Sequence, residues 1–234
     1  SMEINRYGRS TLTAVNLIDL ELYLYAVVPS EMPRSFPSEA LKAQATAARS
    51  YALYYKFYAK KYKYDPYDLC DTVTSQVYKG YTQEYPETIA AVNTTVGQAV
   101  YYSGKIIECP FFSTSGGSTE DSQNVWSGAN PYYIGKPDLY ESYPAKAPWV
   151  KWMSAEEIQK ALAAKDVNIG QITNVEVVGY TASGRATALL LTGTAGTYTL
   201  QKETMRSWLT LLSRKFKIVS PATPSNTQVV VQDA

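Results

Sequence analysis

The sequence predicts an α+β fold: mixed, mostly antiparallel sheet elements, one long Ala-rich helix, and a smaller carboxyl-terminal lobe that forms a cleft. Two observations predict it. Apolar residues recur at helical spacing over 17–28, 38–61 and 85–98. Paired β-like runs are joined by short turns at Ser103-Gly104, "TASG" and "GTAGT", the pattern of hairpins rather than of a doubly wound parallel sheet.

Each element follows from its own stretch. "STLTAVNL" (10–17) alternates as a strand, and "LIDLELYLYAVV" (17–28) has the spacing of a short helix. Pro29, Pro33 and Pro37 make the next ten residues a turn-rich connector. From Ser38 to about Lys61 one amphipathic helix is expected, with Leu41, Ala45, Ala48 and Ala52 as a stripe of small residues for close packing. Lysines in its last turns suit a carboxyl-terminal dipole.

Segment 69–80 reads as β-like and ends at Gly80. Residues 85–98 read as a helix, and 99–115 as a hairpin running into the loop "TSGGSTED". Region 126–153 shows no clear period. Ser154 and Glu157 form a capping box for a helix over 154–165. Strands follow at 172–180 and 185–193, then a further turn, a helix over 201–212 and a strand over 215–220. Residues 3–219 are expected to form one domain with a smaller lobe over 150–219, and 220–234 a linker or frayed tail.

Composition narrows the chemistry. The chain has 234 residues, 45% of them hydrophobic and 18% charged, as in ordinary globular proteins. Net charge is +1, so no overall field argues for nucleic acid. Histidine is absent, which removes His-based triads and His-ligated metals. Two cysteines, Cys70 and Cys109, cannot build a zinc site alone, and either pair or stay reduced. Acid–base work therefore falls to Asp, Glu, Lys or Tyr. Tyrosine is abundant, 21 residues against 5 Phe and 4 Trp, and its flat face with a polar tip suits sugar grooves as well as ordinary packing. No stretch is long and apolar enough to span a membrane. The opening Ser1-Met2 reads as a remnant left where a native amino terminus was cut away.

Glu31 is the carboxylate that stands out. It lies in the proline-restricted connector, either as a helix-entry charge favoured by the following dipole or as a reactive group on a rigid loop. Lys42 and Arg49 are seven residues apart, two helical turns, and so share one face. Together they form either a solvated face or a site for an acidic ligand. Cations and a helix amino terminus disfavour the protonated form that a general acid needs, which sets a tension with Glu31 as an acid. The loop 113–120, "STSGGSTE", offers backbone N–H groups to a ligand through Ser113, Ser115, Gly116 and Gly117, or is an ordinary hairpin exit. Asp71, Gln76 and Tyr78 lie on or beside the β-like run, where each lines a cleft or serves the scaffold.

Several stretches in this order, "LYLYAVVPSEMP", "EALKAQATAARSYAL", "DTVTSQVYKG", "FFSTSGGSTED" and "NPYYIGKPD" among them, resemble the stage II sporulation protein D family. That family shares its domain with amidase-enhancer proteins of bacterial cell walls. The resemblance covers about residues 10–219. It implies a lytic transglycosylase acting on denuded peptidoglycan glycan strands, or alternatively a non-catalytic glycan-binding module or an enhancer or scaffold for a partner wall hydrolase or amidase. It implies Glu31 as the acid that then turns base, Lys42 and Arg49 in the cleft, and Tyr132, with Tyr133 as the register alternative, against substrate. Gln76 and the glycine loop complete the expected substrate contacts.

No cofactor is implied. Some relatives hold zinc with His-Cys where this sequence has Thr74 and Ser75, so no metal is expected. The implied setting is extracytoplasmic, in the cell wall or intermembrane space of a sporulating cell, with any membrane contact made through an amino-terminal segment outside this chain.

Overall fold

In the computed structural model the described residues are 1–7, 11–141, 149–219 and 228–233. The chain divides into two compact units, Ser1–Phe111 and Phe112–Ala234. The sequence expectation was one domain with a smaller lobe beginning near residue 150. Secondary structure is α+β throughout, and every strand pair is antiparallel.

In the first unit β1 (Met2–Tyr7) and β2 (Thr11–Asn16) form a hairpin that leads into α1 (Leu20–Glu31). Asp19 caps α1, its carboxylate accepting the Glu21 and Leu22 N–H groups at 2.9 and 3.4 Å. The helix does not stop before Pro29, as the prolines had implied, but runs on to Glu31. Proline fixes a helical φ and costs one ladder bond. Here Ser30 Oγ donates to the Ala26 carbonyl at 2.7 Å, and Met32 N–H still reaches Val28 O at 2.9 Å.

α2 (Ser38–Tyr54) continues into a π-helical turn, Tyr55–Ala59, so the helical path ends close to the expected residue 61. Leu41, Ala45, Ala48 and Ala52 are all buried, as their stripe predicts. Leu41, Ala45 and Ala48 pack with Leu24, Val27 and Val28 of α1 and with Ala91 and Val92 of α3 (Pro86–Thr94). A two-residue turn, Ser103 and Gly104 with φ of 48° and 77°, joins β3 (Tyr101–Tyr102) to β4 (Lys105–Ile106). Positive φ at both positions gives the twist that a tight hairpin needs.

The expected strand at 69–80 is absent. Its Thr, Val and Tyr residues have strand propensity, but local turns take over: Ser75 N–H donates to Thr72 O, and Tyr78 N–H to Asp71 O.

The second unit holds α4 (Ser122–Val125), β5 (Val150–Ser154), α5 (Ala155–Ala163), β6 (Ile172–Tyr180), β7 (Ala186–Gly193), β8 (Gly196–Gln201), α6 (Glu203–Trp208), β9 (Phe216–Val219) and β10 (Gln228–Asp233). The capping box predicted at Ser154 and Glu157 is made in both directions. β6, β7 and β8 form one sheet, and β10 lies between β5 and β9 in another. The tail expected over 220–234 is thus corrected at 228–233, where a β-branched "VVV" run supplies a central strand. Ile158, Leu162, Leu189, Leu191, Leu200, Met205 and Phe216 form the core of this unit.

Candidate active site

Glu31 is the last residue of α1, at the negative end of that helix dipole rather than at the entrance of α2. Its side chain is half-buried, and Oε1 accepts the Val77 N–H at 2.7 Å. No second hydrogen-bond partner of Glu31 occurs among the described residues.

Val77 is held in place by its neighbours. Gln76 is fully buried, donating to the Ala48 carbonyl at 3.3 Å and accepting from the Tyr23 hydroxyl at 3.2 Å. Tyr78 stacks on Tyr23 with ring centroids 5.4 Å apart. Two helices thereby aim one backbone donor at one carboxylate oxygen. Burial, helped by the nearby Tyr51 and Glu31, pushes the Tyr23 phenol well above its usual range, so it serves as a neutral donor. Gln76 was expected to touch substrate; its burial instead makes it part of the support under Val77.

The two cations of α2 separate. Arg49 is 1% exposed. Its Nε and one terminal nitrogen donate to Glu21 at 2.8 and 2.6 Å, a bidentate pair, and the other terminal nitrogen donates to the Gln98 carbonyl at 3.1 Å. Weaker contacts reach Thr95 Oγ1 and the Val92 carbonyl, each at 3.4 Å. The expectation that Arg49 faces ligand in a cleft is therefore corrected: the small residues that let α2 pack closely also draw this guanidinium into the interior. Lys42, in the second turn of α2, is half-exposed and pairs with Glu39 at 2.7 Å. Both cations have acidic partners of their own, and neither is bonded to Glu31.

In the second unit the glycine loop spends its donors internally. The Glu141 carboxylate accepts the Ser115 N–H at 2.7 Å and the Gly117 N–H at 3.4 Å, and also the hydroxyls of Thr114 and Ser115. Ser115 is buried, with Asp138 Oδ2 3.1 Å from its hydroxyl. Gly116 and Gly117 adopt φ of 62° and 85°, which lets the chain fold around the carboxylate. Lys215 donates to the Gly116 carbonyl, and Arg185 to those of Ser115 and Ser118. The expected offer of Ser115, Gly116 and Gly117 backbone to a ligand is met here by the chain itself. Ser113 is exposed.

Glu120 accepts from Thr181 and Ser183, each at 2.5 Å, and from Asn124 at 2.9 Å. Burial opposes its charge, but these donors outweigh burial and hold the carboxyl below its usual range. Tyr132 is half-buried and meets the Tyr133 ring edge-on at 4.6 Å, and Tyr133 in turn lies 5.6 Å from Trp126.

Cys70 and Cys109 are both free thiols. Burial pushes both up. At Cys70 the hydroxyls of Ser75, Thr72 and Tyr62, 3.1 to 3.4 Å from sulfur, outweigh it and lower the pKa to about 6; Cys109 stays raised. Thr74 is exposed, and its carbonyl accepts from Lys61. Among the described residues no group of three or more His, Cys, Asp or Glu is placed to hold a metal ion. None of their helices is long and apolar enough to cross a membrane.

Residues 8–102, which include Glu31, Arg49 and Val77, match the family described as stage II sporulation protein. That stretch is thus a domain of the stage II sporulation protein family. Residues 141–231 match a domain of unknown function, DUF8618. Stage II sporulation protein D of Bacillus subtilis is 33% identical over 180 residues, 70% of this chain and 52% of that protein. An uncharacterised protein of Brachyspira hyodysenteriae is 34% identical over 177 residues, 76% of this chain and 47% of its own length. The amidase enhancer of Bacillus subtilis is 40% identical over 129 residues, 55% of this chain and 16% of its own length. The chain thus spans about half the length of the sporulation protein D and Brachyspira relatives, and a sixth of the amidase enhancer.

Within the sporulation-protein stretch, sequence reasoning missed Val77 and Glu21. A backbone N–H carries no side-chain signature, so nothing at Val77 marked it. Glu21 did have a signal, an acidic residue in the first turn of a helix otherwise mostly apolar over 20–28.

Proposed function

We propose that this chain is a lytic transglycosylase that cleaves denuded glycan strands of peptidoglycan, with Glu31 as its single acid and base. The observation that carries this is the state of the Glu31 carboxylate. One oxygen is fixed by the Val77 N–H at 2.7 Å, and the other has no protein partner among the described residues. A carboxyl held by one edge and open at the other suits proton transfer to and from a ligand.

Glycoside hydrolysis commonly uses two carboxylates, the second to activate water or attack the sugar. A transglycosylase can work with one. Glu31 protonates the leaving glycosidic oxygen, then takes the proton from the same sugar's 6-hydroxyl, which closes a 1,6-anhydro ring. That nucleophile is intramolecular and already placed. Kinship with stage II sporulation protein D supports a role in wall remodelling during sporulation, on the extracytoplasmic side, with the longer protein anchored through a segment outside this chain. Lys42 in the first unit and, separately, Ser113 and Tyr132 in the second remain side chains proposed to meet glycan; Arg49 and Gln76 are interior supports of the first unit.

Likeness to the amidase enhancer favours a second reading: a non-catalytic glycan-binding partner of another wall hydrolase or amidase. One experiment separates the two. Denuded glycan strands are incubated with the protein, and anhydro-muramyl ends are sought by mass spectrometry. The first reading expects those ends from the wild type, and from Glu31→Gln retained binding without product. Equal product from both proteins overturns the role of Glu31. Binding without product from the wild type supports the second reading.

A further inference from the structure

We propose that a groove in the first unit, walled by Tyr62, Tyr67, Cys70 and Tyr78, binds a hydroxyl-rich oligosaccharide. This rests on the reading of the chain as a glycan-strand protein, and it assigns sugar units to a surface that Glu31 does not line.

The groove has a volume of about 1340 Å³ and is built wholly from residues 13–78. It exceeds the ~300–1,000 Å³ of pockets for drug-sized ligands, and so suits several linked sugars better than one. Its lining includes both aromatic rings and hydroxyl or amide groups, Thr13 and Asn16 among the latter. Tyr62 and Tyr67 lie with ring centroids 4.8 Å apart, and Tyr78 is backed by Tyr23. A pyranose presents an apolar C–H face to a ring and hydroxyls to neighbouring polar atoms, which this mixture matches.

Lining charges nearly cancel, three lysines against four aspartates. That balance disfavours a densely charged polyanion such as nucleic acid, with its charge on every nucleotide, more than a glycan with one carboxylate per disaccharide, while the aspartates accept from sugar hydroxyls. Lys60 has no charged partner among the described residues and is suited to a lactyl carboxylate, which every second sugar of a denuded strand carries. The groove also adjoins the proposed chemistry through the backbone, because Tyr78 follows Val77, whose N–H holds Glu31. A strand seated in the groove therefore bears on the segment that positions the acid.

Cys70 reports on occupancy, since it lines the groove and its lowered pKa makes it the more reactive thiol at neutral pH; Cys109 is not in the lining and serves as the internal reference. The full chain carrying Glu31→Gln, so that ligand persists, is alkylated with iodoacetamide with and without denuded glycan oligosaccharides. With oligosaccharide at about ten times its dissociation constant, the rate at Cys70 is expected to fall about tenfold while that at Cys109 is unchanged. Tyr67→Ala is expected to abolish the protection and Tyr67→Phe to keep it, with circular dichroism checking the fold of each. Unprotected Cys70 in glycan-saturated protein overturns the groove, even if the wild type cleaves glycan. Protected Cys70 in a protein whose wild type forms no anhydro ends upholds the groove and overturns the enzymatic reading instead.

Discussion

The Val77 N–H donates to Glu31 Oε1 across 2.7 Å, bridging 46 residues of sequence. The segment that carries it has no regular structure of its own and is held by Gln76 and Tyr78 on α1 and α2. Replacing Val77 with Pro deletes the donor, whereas Val77→Ala keeps it. A hydrogen bond to a charged group contributes about 1.5–3 kcal/mol, so Val77→Pro should lower anhydro-end formation about tenfold or more. Val77→Ala should stay close to the wild type. Equal rates in both variants would remove Val77 from the mechanism.

Arg49 should behave as a structural residue. Arg49→Met leaves Glu21 and two carbonyls without their buried partner, a change that costs about 3–5 kcal/mol. The double variant Arg49→Met/Glu21→Leu should recover much of that loss in urea denaturation, because an apolar pair removes the orphaned charge. An unchanged midpoint with lost glycan binding would return Arg49 to the role of ligand contact.

Acid stability should depend on Glu120. Its folded pKa is depressed, so between the folded and unfolded values the unfolded chain binds more protons and stability rises with pH. The contribution is complete above the ordinary carboxylate range, about 4.3 for Glu, and is lost as pH falls through the folded value. Melting temperature measured against pH should therefore fall more steeply on the acid side for wild type than for Glu120→Gln. Parallel curves would contradict the hydrogen bonds from Thr181 and Ser183 as the cause.

Gly193, at the end of β7, faces a wall. A Cβ there would lie 2.1 Å from the Ile169 carbonyl oxygen, a backbone atom that cannot swing aside. Gly193→Ala should cost about 1–3 kcal/mol, or several degrees in melting temperature. Gly128→Ala meets no atom within 4 Å and is the control expected to change little.

Legibility in the sequence followed the range of the interactions. The capping box at Ser154 and Glu157 and the turn at Ser103 and Gly104 are settled within four residues, and both formed as read. The stripe Leu41, Ala45, Ala48 and Ala52 announced the buried face of α2 by spacing alone. Burial of Arg49 was not legible, because it depends on Glu21, 28 residues away, and on carbonyls of α3. The stretch 69–80 misled because its strand-forming residues close local turns instead, Ser75 N–H to Thr72 O and Tyr78 N–H to Asp71 O, and Gln76 is anchored to Tyr23 and Ala48, far off in sequence. Glu141 likewise filled the glycine loop from 24 residues beyond Gly117.

Ala45, Ala48, Arg49, Ser50, Tyr51 and Ala52 all face inward, and they are the heart of the "ALKAQATAARSYAL" block by which the chain is recognised. The recognisable signature is thus a record of how the scaffold closes, written in interior residues. The proposed reactivity lies elsewhere, at the exit residue of α1. On that proposal a homologue that kept the block and exchanged this one glutamate would fold alike and fall silent, so that ancestry and activity would pass through separate positions.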